Sequence, residues 1–405
     1  MTAPVTEPLV SAELLVSAEQ EIEEVDAELD AVETKKAGCI PLRNVWLLMF
    51  YASDLSKLMN RGHVGIEERP DELPDLIAEL LADAVQARLR RQLNAGYETR
   101  SANLTRVRGR IDMLTTERHQ LLQRGEIHCR FDVLTINTRR NRYVLGALAM
   151  LAPLVKDRSL AQRCRTLART MEEMGVGRNT PSARELSTER PGRNDDEDQL
   201  MLAAARLAFD LALPTESVGN QKLYRVDRDP HWLRRLFEAA VRGFYALTLP
   251  RHGWHVRNGG RTSRWPVTEP STNLIALMPT MTTDIELNHR DSGRNIIIDT
   301  KYTSIVTSGN FARDRLKSGY LYQLYTYVMT RSIIDPSITR PTEGMLLHAA
   351  VGVDMLESGM IQGHPFTFAT VDLAGASAAI GMRLLEVVDY GSSSLDSGRR
   401  NRKAP

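Results

Sequence analysis

Cysteine is scarce in this sequence. Cys39, Cys129 and Cys164 are scattered through 405 residues without a CxxC pair, which indicates neither a disulfide framework nor a zinc knuckle and fits reduced thiols. No apolar run reaches the ~18–20 residues that span a bilayer. The opening residues are acidic rather than basic and then apolar, unlike a secretory signal. These absences point to a cytoplasmic protein with no membrane partner. No GxxxxGK[ST] phosphate loop occurs, so nucleotide hydrolysis by that route is not expected. An excess of one charge is missing too: 52 Lys plus Arg balance 51 Asp plus Glu, and net charge alone advertises no polyanion.

What is present is an ordinary globular composition, 42% hydrophobic and 25% charged. At about 100–200 residues per domain, two or three domains are expected. Residues 1–37 hold ten acids and no base between Glu7 and Glu33, and read as a mobile acidic arm. Residues 38–215 contain "CIPLRNVWLLMFYASDL", a strand entry followed by a helix, and an amphipathic helix over Leu73–Leu93 whose last turn is rich in Arg, which suits the helix dipole. A β-like stretch, "YETRSANLTRVRGRIDML", follows, and "FDVLTINTRRNRYVLGALAML" reads as a turn leading into a helix. Further helices are expected at about 157–174, 199–212 and 230–247, with 175–199 as a loop rich in Gly, Pro and charge. Residues 216–390 carry the most informative segment, and 391–405 form a basic tail read as disordered.

That segment is "NIIIDTKY", residues 295–302, a run of isoleucines ending in an acid and a base. On a strand, Asp299 and Lys301 share one face; Ile296 and Ile298 are expected to face the core. The preceding "MTTDIEL" alternates, and closing a hairpin through "HRDSGR" sets Asn288 opposite Asn295. Counting back places Ile285 opposite Ile298 and Asp284 opposite Asp299. Opposed carboxylates repel unless a cation lies between them. Lys301 offers one charge; a divalent metal offers a better one, since Mg²⁺ takes one or two carboxylates and completes its shell with water and phosphate oxygens. The residues therefore point to a metal-dependent phosphodiesterase site with Asp284 and Asp299 as ligands. The competing reading is a solvated Asp–Lys pair on a strand face.

Asp284, then Asp299-x-Lys301, then "YLYQLYTYV" with Gln323 and Tyr327 resembles the PD-(D/E)xK nuclease core. More narrowly, four segments in order resemble the McrC family of modification-dependent restriction systems: "IPLRNVWLLMFYASDL", "VRGRIDM", "FDVLTINTRRNRYVLGAL" and "MTTDIEL…IIIDTKY…LYQLYTYV". The resemblance implies that Asp284 and Asp299 bind Mg²⁺ (or Mn²⁺), that Lys301 is the catalytic lysine, and that Gln323 lies near the scissile phosphate. It makes Glu238 a candidate accessory ligand, against a helix-surface pairing with Arg234, Arg235 or Arg242. It further implies DNA as substrate, 5-methylcytosine-type modification as the signal, and a McrB-like hexameric AAA+ GTPase as partner, GTP belonging to that partner. Arg43 and Asn44 are the candidates for facing it.

Other charged segments complete the reading. Arg313, Arg315 and Lys317 lie between the Lys301 strand and the Gln323 helix and suit phosphate contacts. The basic run that includes Arg264, beside Trp254 and Trp265, reads either as a DNA grip or as a solvated loop. His252 and His255 lack the partners of a zinc site. The expected architecture is α+β: an N-terminal β-containing partner-binding region, a helical middle and a C-terminal mixed sheet flanked by helices. Two alternatives stay open, a non-cleaving subunit that activates an AAA+ NTPase and a stand-alone DNA repair nuclease.

Overall fold

A computed structural model describes residues 39–58, 70–187, 195–218, 223–225, 230–257, 261–302, 306–308 and 314–400. The acidic arm lies outside the described residues. The chain sorts into two compact units, one made of 58–217 and the other of 1–57 with 218–405. Strand β1 (Cys39–Pro41) and helix α1 (Leu42–Ala52) therefore belong with the C-terminal half and not with the middle segment that follows them in sequence.

The middle unit is mostly helical. Helix α2 (Leu73–Arg90) opens at a proline and buries Ile77, Leu81 and Val85 at helical spacing. Strands β2 (Gly96–Leu104), β3 (Arg110–Ile111) and β4 (Ile127–Thr135) form an antiparallel sheet in the order β2-β4-β3. The residues "FDVLT", expected as a turn, are instead the second half of β4, where Phe131 and Val133 alternate with exposed Arg130, Asp132 and Leu134. Helix α3 (Met113–Arg118) is capped by Asp112, whose carboxylate accepts from Thr115 N at 3.1 Å. Longer helices follow as α4 (Arg139–Leu151), α5 (Arg158–Glu173) and α6 (Asp195–Val218). Helix α6 starts inside the segment expected to be a loop.

In the other unit, β1 pairs with β5 (Leu223–Arg225), and α1 packs on α7 (Pro230–Thr248). The helices approach so closely that a Cβ on Gly243 would come within 1.8 Å of the Tyr51 carbonyl oxygen, so only glycine fits there. The core is a six-stranded mixed sheet. It contains β6 (Trp254–Arg257), β9 (Ile285–His289), β10 (Asn295–Lys301), β13 (Glu343–Ala350), β14 (Leu356–Ile361) and β15 (His364–Asp372), in the order β14-β15-β13-β10-β9-β6. Strands β10, β13 and β15 pair parallel, while the pairs β14–β15, β10–β9 and β9–β6 are antiparallel. Smaller antiparallel pairs are β7 (Arg261–Ser263) with β8 (Met281–Thr283), and β11 (Val306–Ser308) with β12 (Asp314–Leu316). The β14–β15 hairpin turns on Gln362 and Gly363, both at positive φ, the geometry of a two-residue turn.

The short helix α8 (Leu274–Leu277) sits between β7 and β8, and helix α9 (Ser318–Ile334) connects parallel strands β10 and β13. Leu324 and Val328 of α9 pack with Ile297, Leu346, Phe366 and Phe368. The helix stops at Asp335, extended as a residue before proline must be. Helix α10 (Ser377–Arg400) runs through most of the segment read as a disordered tail.

Candidate active site

The hairpin register is the one obtained by counting: Asn295 opposes Asn288, Ile297 opposes Glu286, and Ile298 opposes Ile285. Beyond that pair the chain bends at Asp284, between β8 and β9. Its Oδ2 accepts from the Thr300 backbone N at 2.7 Å and from the Thr300 hydroxyl at 2.8 Å. Asp284 is thereby tied to the strand that carries Asp299 and Lys301.

Strand β10 is buried along its whole length. Ile296 and Ile298 are buried and Asp299 shares a face with Lys301, as expected, and that second face is buried as well. Ile297, Asp299 and Lys301 lie on the face covered by α9, while Ile296, Ile298 and Thr300 lie on the opposite, equally buried face. An interior strand of a mixed sheet, with both faces buried, has no solvent-facing positions, which explains the unbroken isoleucine run. Asp299 is 2% exposed and Lys301 6%, so this is no solvated surface pair.

Lys301 is held from several sides. Its Nζ donates to Asp299 Oδ1 at 3.3 Å and to Gln323 Oε1 at 3.0 Å. Nζ also lies 3.1 Å from Asp299 Oδ2, yet that oxygen, buried, accepts no hydrogen bond of acceptable angle. Gln323 Nε2 in turn donates to the Tyr327 hydroxyl at 3.1 Å, one helical turn on. The Lys301 ammonium sits 4.9 Å from the centre of the Tyr320 ring, a cation–π contact. Burial raises the Asp299 carboxyl to about 6; Lys301 opposes the shift and the Asp284 charge adds to it. The two acids therefore sense one another across the hairpin.

Glu238, on α7, is brought into the same electrostatic field. Burial first, and then the Asp284 charge, raise its pKa. Its carboxylate is nevertheless paired with Arg242, four residues on along the helix. Among the described residues no group of three His, Cys, Asp or Glu side chains forms a ready metal cage. Glu286 is also committed elsewhere, to Arg331 at 3.0 Å.

The remaining candidates scatter. The Lys317 ammonium lies 5.6 Å from the Tyr320 ring, which also carries Lys301. Arg264 is exposed, outside this cluster. Arg313 lies outside the described residues; Arg315 belongs to β12. Arg43 is exposed at the start of α1. Asn44 does not face outward as expected: it is fully buried, and its amide donates to the carbonyls of Leu373 at 2.8 Å and Gly375 at 3.0 Å while Ser377 donates to its Oδ1. A buried amide must have its hydrogen bonds satisfied, and Asn44 does so by pinning α1 to the start of α10.

Three participants went unread in the sequence. Thr300 fixes Asp284; Tyr320 supports Lys301; and His348, buried on β13, is the register neighbour of Lys301. The first two had a signal, Thr300 inside the D-T-K triplet and Tyr320 three residues before Gln323 on one helix face. His348 needed the strand order.

A family model described as McrBC 5-methylcytosine restriction system component matches residues 26–333. The type IV methyl-directed restriction enzyme EcoKMcrBC of Escherichia coli (strain K12) is 24% identical over 356 residues, covering 86% of this chain and 97% of that protein. A half-complex of Thermococcus gammatolerans McrB AAA+ hexamers with bound McrC aligns over 84% of this chain and 76% of that one, at 14% identity and a TM-score of 0.37. The McrBC complex of the same organism aligns over 50% of this chain and 57% of that one, at 15% identity and a TM-score of 0.30. With the family model spanning most of its length, this chain belongs to the McrBC 5-methylcytosine restriction system component family.

Proposed function

We propose that the chain is the DNA-cleaving subunit of a modification-dependent restriction system, a Mg²⁺-dependent endonuclease in which Mn²⁺ can replace Mg²⁺. It would act on DNA carrying 5-methylcytosine-type modification, together with a McrB-like hexameric AAA+ GTPase that it also stimulates. The observation that carries this reading is the convergence of Asp284, Asp299, Lys301 and Gln323 from the bend before β9, one strand and one helix. The lack of a phosphate loop in the sequence is in keeping with GTP being bound by the partner.

The donor set suits a hard divalent cation. Two carboxylates are what Mg²⁺ commonly takes from a protein, and the buried Asp299 Oδ2 is an acceptor without a hydrogen bond. When bound, the ion supplies Lewis acidity toward the phosphodiester and lowers the pKa of a coordinated water. The chain's own residues do the rest. Both Thr300 donors hold Asp284 through one oxygen, Oδ2. Lys301, kept in place by Asp299, Gln323 and the Tyr320 ring, supplies positive charge against the negative charge that builds on the phosphate oxygens. Gln323 is itself oriented by Tyr327.

The test is reconstitution with a McrB-like AAA+ partner, GTP, Mg²⁺ and methylated DNA, comparing native chain with Asp299→Ala. The native complex is expected to cut. The variant is expected to leave the DNA whole while still raising GTP turnover by the partner. Equal cleavage by the variant would overturn the site assignment.

A further inference from the structure

Glu286 is an acid in the right place for a metal site that is engaged in something else. Its Oε2 accepts from Arg331 Nη2 at 3.0 Å and its Oε1 from the Thr283 hydroxyl at 3.2 Å. Arg257, its cross-strand partner on β6, brings Nη1 to 4.0 Å from Oε2. Arg331 and Arg257 both also approach Asp335, at 3.5 and 3.9 Å. Glu286, Arg331 and Thr283 are all buried.

The placement matters because Thr283 and Glu286 bracket Asp284. The bond between them spans the bend at which Asp284 leaves the ladder. Arg331 fastens that bend to α9, two helical turns beyond Gln323, which fastens the same helix to Lys301. One helix thus holds both halves of the catalytic hairpin.

We propose that Arg331, Glu286 and Thr283 form a clamp that positions Asp284 for cation binding, with Glu286 a positioning residue and not a ligand. The proposal rests on the metal-site reading above. Outer partners that orient a metal ligand characteristically change affinity by about 10–100-fold when removed. Losing the Thr283 hydroxyl frees the bend without leaving a buried charge unpaired, since Glu286 keeps Arg331.

The test measures Mn²⁺ binding directly, by calorimetry or by loss of the free-ion paramagnetic resonance signal, on the full chain and three variants. Native protein is expected to bind and Asp299→Asn to lose binding. Thr283→Val is expected to bind about tenfold more weakly at an unchanged melting temperature, with Thr283→Ser close to native. Native-like affinity in Thr283→Val would overturn the clamp. If Thr283→Val fails to fold, Glu286→Gln replaces it and is expected to show the same partial weakening. Complete loss in Glu286→Gln, matching Asp299→Asn, would overturn the proposal by making Glu286 a ligand. No binding by native protein, or undiminished binding by Asp299→Asn, would overturn the metal-site reading itself and the clamp with it.

Discussion

The two principal sheets treat charge in opposite ways. In the six-stranded sheet, buried acids are each paired with a cation: Asp299 with Lys301, Glu286 with Arg331, Glu343 with Arg294 at 2.7 Å. In the three-stranded sheet of the middle unit, one face carries Tyr97, Thr99, Ser101, Arg130, Asp132 and Leu134, all exposed. Tyr97 is 79% and Leu134 60% exposed, directly opposite one another. The difference teaches where sequence changes should matter. Burying an ion costs several kcal/mol unless it is paired, so buried charge survives in a working protein only where geometry or chemistry requires it. Charge on an open sheet is screened and contributes little to stability.

The sharpest break of this contrast is at the buried acid. Asp299→Ala should lower DNA cleavage by on the order of 10³-fold or more, beyond the ~10²–10³ associated with losing one transition-state-stabilising donor. A gel-based cleavage assay with the complete complex reads it. Next comes stability: Arg331→Met leaves Glu286 buried without its main cation and should cost ~3–5 kcal/mol in chemical denaturation, whereas Arg331→Met with Glu286→Leu should recover much of the loss. A loss in the double variant equal to the sum of the two single losses, with Glu286→Leu measured alongside, would show that the pair is not the unit assumed here.

A smaller effect concerns pH. The Asp299 carboxyl, raised to about 6 by burial and the Asp284 charge, must be ionised to accept a cation. Cleavage at subsaturating Mg²⁺ should therefore fall about tenfold per pH unit as pH drops below about 6 and level off above it. More Mg²⁺ should move the midpoint to lower pH, because ion and proton compete for the same oxygen. The smallest effects belong to the open sheet, where Arg130→Ala or Leu134→Thr should shift unfolding free energy by no more than ~0.5 kcal/mol. A large loss there would erase the distinction between the sheets.

Much of this arrangement was legible beforehand. Period-two alternation in "MTTDIEL" and the length of the turn sufficed to set the β9–β10 register, because a one-residue slip would have reversed every side chain. The four residues of the site were named from the hairpin and the family resemblance. Strand order was not legible: the parallel pairing of β10 with β13, which makes β10 an interior strand and brings His348 beside Lys301, depends on a contact distant in sequence. Nor was the role of Asn44, whose partners Leu373 and Gly375 lie more than 300 residues away. Local pattern reveals which residues share a face. It does not reveal what is laid against that face.

The central claim is that Asp284 and Asp299 together hold one divalent ion beside Lys301. Crystals of the chain soaked in MnCl₂ and measured at a wavelength where manganese scatters anomalously test it directly. The account predicts a single strong anomalous peak within bonding distance of a carboxylate oxygen from each aspartate. A peak elsewhere, or none between these two side chains while Mn²⁺ supports cleavage, would contradict it.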